Sequence, residues 1–214
     1  MVKSMRRIKK NGPPFITAAF KNTIILASSS PRRRELLAQM GLPFSVFPVN
    51  IIEDFGELPS ITQAEVLARA KVEALARLYP GDDLYWGLGA DTIIEAAGKK
   101  MGKPGGREEA KEFLLSFSGQ QHLVVTGLAL YVGDRQRIEG THAVTEVYFS
   151  GLTPDIVDWY LDTGEWEGAA GGYRIQGKGA CLVEGIKGSY SNVMGLPIRT
   201  FFDMLLRNNY PITV

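Results

Sequence analysis

The sequence predicts an α/β fold with both parallel and antiparallel neighbours, on three observations. Short apolar, β-branched runs alternate with segments whose apolar residues recur at helical spacing, beginning with Thr23 to Ala27 (TIILA) and the pattern from Pro31 to Met40. Two long runs, His122 to Tyr131 and Ile138 to Phe149, flank Gly133-Asp134 and read as an antiparallel hairpin. No internal repeat or low-complexity tract breaks the alternation, so residues 23–214 are expected to form one domain, with 1–22 as a flexible basic tail.

In chain order, Thr23 to Ala27 is a buried strand. Ser30 then caps a helix with Pro31 in its first turn, Leu36, Leu37 and Met40 facing inward, and Gly41 ending it. A second strand, Phe44 to Pro48, leads into the polar turn IIEDFGELPS, which carries Glu53 and Asp54. Thr62 and Glu65 form a capping box, and the helix behind them runs to Pro80-Gly81, with Lys71 beside its apolar face. Tyr85 to Ala96 is a strand whose hydrophobic part ends at Asp91, and Gly87 and Gly89 mark a close approach to its backbone. A turn at Ala97-Gly98, the segment MGKPGG and a helix from Glu108 to Phe117 follow. After the hairpin, Thr153-Pro154 opens a helix that ends at Gly164, Gly168 to Gly188 is a glycine-dense connection, and Pro197 to Arg207 is a final amphipathic helix.

Composition narrows the function classes. Lys+Arg at 24 against Asp+Glu at 23 gives a formal +1, so no global field draws the protein to nucleic acid, and any basic function is local. No run reaches the ~18 apolar residues of a membrane span. The tail MVKSMRRIKK lacks a signal-peptide core, Met5 offers a second start, and a nucleic-acid-binding arm is the competing reading. A single cysteine, Cys181, excludes an internal disulfide and a cysteine-built zinc site; it is expected to be a small buried hydrophobe in a reducing, cytoplasmic setting.

The chemistry starts at LASSSPRRRELL, Leu26 to Leu37. A helix N-terminus already carries about half a positive charge, so Arg32, Arg33 and Arg34 each cost up to ~1 kcal/mol there. A polyphosphate at this turn removes the conflict, since hydroxyls, backbone N–H groups and guanidinium forks all bind phosphate oxygens. A solvated basic turn is the alternative. Two motifs fail on inspection. Gly172 to Lys178 has P-loop spacing, but Gly179 stands where a magnesium-binding hydroxyl is needed; Gly87-Leu88-Gly89 begins a dinucleotide fingerprint that Thr92 breaks. His122 and His142 are expected to be structural. Asp91, Glu53 and Asp54 as carboxylates, with Lys71 and Lys103 as cations near expected cleft edges, are the parts that cleavage of a phosphoanhydride needs. Spacing alone leaves each of them equally able to be a cap or a surface charge.

LASSSPRRRELL, the Glu53 turn, Ala70-Lys71, GADTII (89–94), GKP (102–104), SGQQHLVVTG (118–127) and AGGYRIQGKGA followed by GSYSNVMGLP together resemble the Maf family of nucleoside triphosphate pyrophosphatases. The likeness runs in order from about Thr23 to the C-terminus. It implies a mixed twisted sheet with flanking helices, in two lobes around a central cleft. It also implies hydrolysis of a nucleoside triphosphate to monophosphate and pyrophosphate with a divalent cation, Mg²⁺ or Mn²⁺, in the service of nucleotide-pool sanitation, and it is compatible with a homodimer. On the same resemblance Asp91 is the proton acceptor that activates water, Glu53 with Asp91 holds the metal, and Ser28, Arg32, Arg33, Lys71 and Lys103 surround the triphosphate. Arg32, Thr92 and Gln176 match the branch acting on dTTP and UTP, whose pyrimidine edge Thr and Gln can hydrogen-bond; modified pyrimidine nucleotides are further candidates. A module that senses nucleotides without cleaving them is the competing function. One departure is the segment Gly168-Ala169-Ala170-Gly171, which lacks the lysine many members carry before Ala-Gly.

Overall fold

The computed structural model describes residues 21–51, 58–79 and 84–212. Glu53 and Asp54, like the tail up to residue 20, lie outside the described residues.

Strand β1 (Ile24–Leu26) is followed by helix α1 (Pro31–Gln39), strand β2 (Phe44–Val46) and the long helix α2 (Ser60–Leu78). Next come β3 (Trp86–Ala96), β4 (Lys99–Met101), α3 (Arg107–Phe117), β5 (Gln121–Val132) and β6 (Arg137–Phe149). The chain ends with α4 (Pro154–Leu161), β7 (Val183–Lys187), the short α5 (Tyr190–Met194) and α6 (Ile198–Arg207). The sheet has seven strands in the order β2-β1-β3-β5-β6-β7, with β4 also on β3. β1 pairs parallel with β2 and β3, and every other pairing is antiparallel.

Alternation along the strands divides the core into two layers. Leu88, Ala90 and Ile94 of β3 pack with Leu36 and Leu37 of α1, Leu114 and Phe117 of α3, Tyr160 of α4 and Phe201 of α6 in the main core. On the other face α2 is the one helix among the described residues, packed through small residues: Ala64 against Ile93 and Val125, and Ala68 and Val72 against Ala129. It sits unusually close to the sheet. A Cβ added at Gly89 would lie 2.3 Å from the Ala68 carbonyl oxygen, and one at Gly127 2.2 Å from that of Ala64. The close approach expected at Gly89 is therefore made by a helix backbone.

The registers of β3 open a gap in the sheet. On one edge β1 covers Trp86 to Leu88 and β4 covers Ile94 to Ala96, while the opposite edge is paired to β5 along nearly its whole length. Between β1 and β4, Gly89 to Ile93 has no strand beside it among the described residues. Asp91 and Thr92 fall in this interval, pointing to opposite faces.

Several expectations change. α2 begins at Ser60, so Thr62 lies inside it and the capping box does not form; Glu65 instead meets His142 Nδ1 at 2.7 Å. Asp91 sits in the middle of β3, because the strand continues to Ala96 before turning at Ala97 and Gly98, both with positive φ, into β4. β4, β7 and α5 escape a pattern reading because they are short or glycine-interrupted. Cys181 is exposed, as the turn at Lys178–Leu182 buries Gly179 and Leu182 and turns the thiol outward. Among the described residues no helix is long and apolar enough to cross a membrane.

Candidate active site

The gap in the sheet opens into a cavity of about 730 Å³. Every described residue of the predicted site lines it: Ser28, Arg32, Arg33, Lys71, Asp91, Thr92, Lys103 and Gln176. Residues from opposite faces of β3 share one cavity because no strand closes the edge between them.

On the α2 face, Lys71 Nζ donates to Asp91 Oδ1 at 2.5 Å, with side chains only 12% and 16% exposed. Lys71 reaches the carboxylate because Gly89 and Gly127 let α2 rest on the sheet about one and two turns earlier, at Ala68 and Ala64. On the other face, α1 is capped as the sequence predicts: Ser30 Oγ accepts from the Arg33 amide at 3.4 Å, with Pro31 in the first turn. The first turn then aims the Arg33 guanidinium along β3. Its Nη2 donates to Thr92 Oγ1 at 3.0 Å, its Nη1 to Ser28 Oγ at 3.2 Å and its Nε to the Gly195 carbonyl at 2.8 Å. Arg33 is thus a fixed strut tying α1, β3 and the end of α5.

Arg32, Lys103 and Gln176 form no side-chain hydrogen bond or ion pair among the described residues, which leaves their polar groups for a ligand. Burial first, and then the nearby Arg174 guanidinium, hold Arg32 below the usual arginine pKa. Two guanidinium groups facing one cavity repel each other until an anion lies between them.

Arg174 is a site residue that the sequence does not single out: its segment fails as a P-loop, and the family resemblance carried by AGGYRIQGKGA points to Gln176 alone within it. Its Nη2 donates to the Glu167 carbonyl at 2.7 Å and its Nε is buried with no hydrogen-bond partner among the described residues. Its one sequence signal was a long cation amid buried neighbours, between Tyr173 and Ile175. Lys100 was missed as well. From β4 it donates to the Leu58 carbonyl at 2.5 Å and to Gln63, joining the hairpin to the start of α2 at the cavity wall.

Behind the cavity lies an aromatic cluster. His122 is 1% exposed, stacks on Phe117 with centroids 4.3 Å apart, and meets the Tyr173 hydroxyl at 2.8 Å. Burial pushes its pKa down to about 4, so it is neutral, in keeping with the structural role expected.

Among the described residues no three His, Cys, Asp or Glu side chains gather as a metal cage. Asp91 remains a hard carboxylate donor whose described partner is Lys71 alone. Such a donor fits Mg²⁺, which is commonly bound by one or two carboxylates together with substrate phosphates.

Fold and cavity together define the class: an α/β protein in which cations from separate segments line one cavity with Asp91, at a gap in a mixed sheet. The chain belongs to the Maf-like protein family, whose model matches residues 23–208. It is 43% identical over 190 residues to a dTTP/UTP pyrophosphatase of Symbiobacterium thermophilum, covering 88% of this chain and 95% of that one. It is 47% identical over 176 residues to proteins of the same description from Pyrococcus furiosus and Moorella thermoacetica, covering 82% of this chain and 90% and 89% of theirs. Among solved structures, a HAM1 protein from Coxiella burnetii aligns with a TM-score of 0.44 at 15% identity, over 86% of this chain and 98% of that one.

Proposed function

We propose that this chain hydrolyses nucleoside triphosphates, dTTP and UTP first among them, to the nucleoside monophosphate and pyrophosphate, removing unwanted nucleotides from the cytoplasmic pool. Membership of the Maf-like family and the relatives described as dTTP/UTP pyrophosphatases support the activity. The observation that carries it to this chain is the pairing of Asp91 with Lys71 on the wall of the same cavity that holds Arg32, Lys103 and Gln176, whose side chains have no hydrogen-bond or ion-pair partner among the described residues.

In this reading the triphosphate enters the gap in the sheet with its α-phosphorus beside Asp91. Lys71 leaves its ion pair for the incoming phosphate oxygens, and the released carboxylate takes a proton from the attacking water, a role worth about 10²- to 10⁴-fold in rate. The α–β anhydride bond breaks, and the electron pair stays on pyrophosphate. Lys103 and Arg32 neutralise the charge that develops there. Arg33, held by Ser28, Thr92 and Gly195, keeps the wall of the site rigid. Thr92 and Gln176 meet the pyrimidine edge. A divalent cation, Mg²⁺ or Mn²⁺, fits at Asp91, with Glu53 as a second carboxylate to hold it; when bound it supplies Lewis-acid charge stabilisation to the phosphates.

A panel of nucleoside triphosphates with Mg²⁺ or Mn²⁺ tests the reading. Pyrophosphate and monophosphate in equal amounts, fastest from dTTP and UTP, are expected. Stepwise orthophosphate release contradicts it, and tight binding without any product returns the nucleotide-sensing module.

A further inference from the structure

Behind the cavity wall a file of hydroxyls runs from Arg33 into the core. Arg33 Nη2 donates to Thr92 Oγ1 at 3.0 Å, Thr92 Oγ1 lies 3.0 Å from Thr126 Oγ1, and Thr126 Oγ1 donates to the Asn192 carbonyl at 3.3 Å. Thr92 faces the cavity, whereas Thr126 and Asn192 are fully buried. The carbonyl at the end of the file is firmly placed. The Asn192 side chain donates to the Val124 carbonyl and to Thr145 Oγ1, both at 2.9 Å, and Gly195 N adds a second bond to the same carbonyl.

The two ends of this file fix its direction. A guanidinium only donates, a backbone carbonyl only accepts, and each threonine hydroxyl has a single proton. With hydrogens assigned from the network, every link is filled when protons point from Arg33 to Thr92, from Thr92 to Thr126 and from Thr126 to Asn192. Reversing the middle link takes the Thr126 proton from the Asn192 carbonyl, costing one buried bond, and turns the Thr92 proton loose into the cavity. In the filled arrangement the cavity sees only a lone pair of Thr92.

We propose that Thr126, which does not itself line the cavity, is a specificity-determining positioning residue: by taking the Thr92 proton it presents Thr92 to the ligand as a hydrogen-bond acceptor. This rests on the pyrimidine-nucleotide reading of the cavity. Uracil and thymine carry an N3–H donor between two carbonyls, while cytosine carries a lone pair on N3. An acceptor oxygen bonds the first and repels the second, so dTTP and UTP are accepted over CTP by about tenfold or more.

The test compares kcat/KM for UTP, CTP and N3-methylated UTP on the wild type, Thr126→Val and Thr126→Ser. The wild type is expected to favour UTP over the other two by about tenfold or more. Thr126→Val frees the Thr92 proton to meet cytosine N3, so the UTP-to-CTP ratio falls about tenfold, and Thr126→Ser restores it. Equal losses on both nucleotides in Thr126→Val, with the ratio unchanged, mean that Thr126 only packs the core, and the proposal fails. Equal turnover of UTP and N3-methylated UTP by the wild type overturns it without any variant. A wild type inactive on all nucleoside triphosphates defeats the underlying reading instead.

Discussion

Gly89→Ala couples the packing of α2 to the chemistry at Asp91. The new Cβ would lie 2.3 Å from the Ala68 carbonyl oxygen and 2.7 Å from Val72 Cγ2. Carbon and carbonyl oxygen normally keep about 3.3 Å apart, so the helix must retreat by roughly 1 Å. Neither obstacle gives way cheaply, because one is helix backbone and the other a β-branched side chain packed against Ala129. Lys71 lies one turn beyond Ala68 and moves with it, which lengthens its contact with Asp91. A displacement of about 1 Å at a reacting group costs on the order of 10²-fold in rate. Overpacking adds about 1–3 kcal/mol of destabilisation. The assay is steady-state pyrophosphate release from dTTP, with denaturant melts alongside. Gly151→Ala is the control, since a Cβ there meets nothing within 4 Å. If Gly89→Ala keeps full activity and stability, α2 does not set the position of Lys71 and the packing argument is wrong.

Two other outcomes follow from the same geometry. His122 is neutral in the fold, with its pKa pushed down to about 4 from an ordinary 6.5. Below 6.5 the unfolded chain binds a proton that the folded one refuses, so stability is complete above that value and is lost as pH falls toward 4. Between about pH 7.5 and pH 5 this group should remove about 2 kcal/mol, a loss that His122→Phe abolishes in melts at the two pH values; equal losses in both proteins contradict it. Arg32→Ala should raise KM for dTTP by about tenfold or more, the effect of losing a charge-assisted phosphate contact, with a smaller change in kcat. An unchanged KM removes Arg32 from the triphosphate.

The elements that the sequence made legible are those with a physical signature in one dimension. Ser30-Pro31 and Gly41 bracket α1 because capping and positive φ are local demands, and the hairpin around Gly133-Asp134 follows from two long strand-like runs on either side of it. β4 was hidden because three residues, two of them lysines, carry no alternation, and its pairing depends on the turn at Ala97 and Gly98. The Thr62 to Glu65 box misled because Ser60 continues the helix backward and Glu65 finds His142 across the sheet. At the site, residue types named Asp91, Lys71, Arg32 and Arg33. Their convergence depends on the interrupted edge of β3, which no spacing encodes. Arg174 was illegible for the same reason, since only the fold brings it to Arg32.

The account turns on Asp91 as the group that activates water beside a bound triphosphate. Asp91→Asn keeps the shape and removes the base, so product formation and nucleotide binding should part company. Measured side by side with dTTP and Mg²⁺, pyrophosphate release should fall by about 10²- to 10⁴-fold in Asp91→Asn while dTTP still binds. Release within a few-fold of the wild type would contradict the account at its centre.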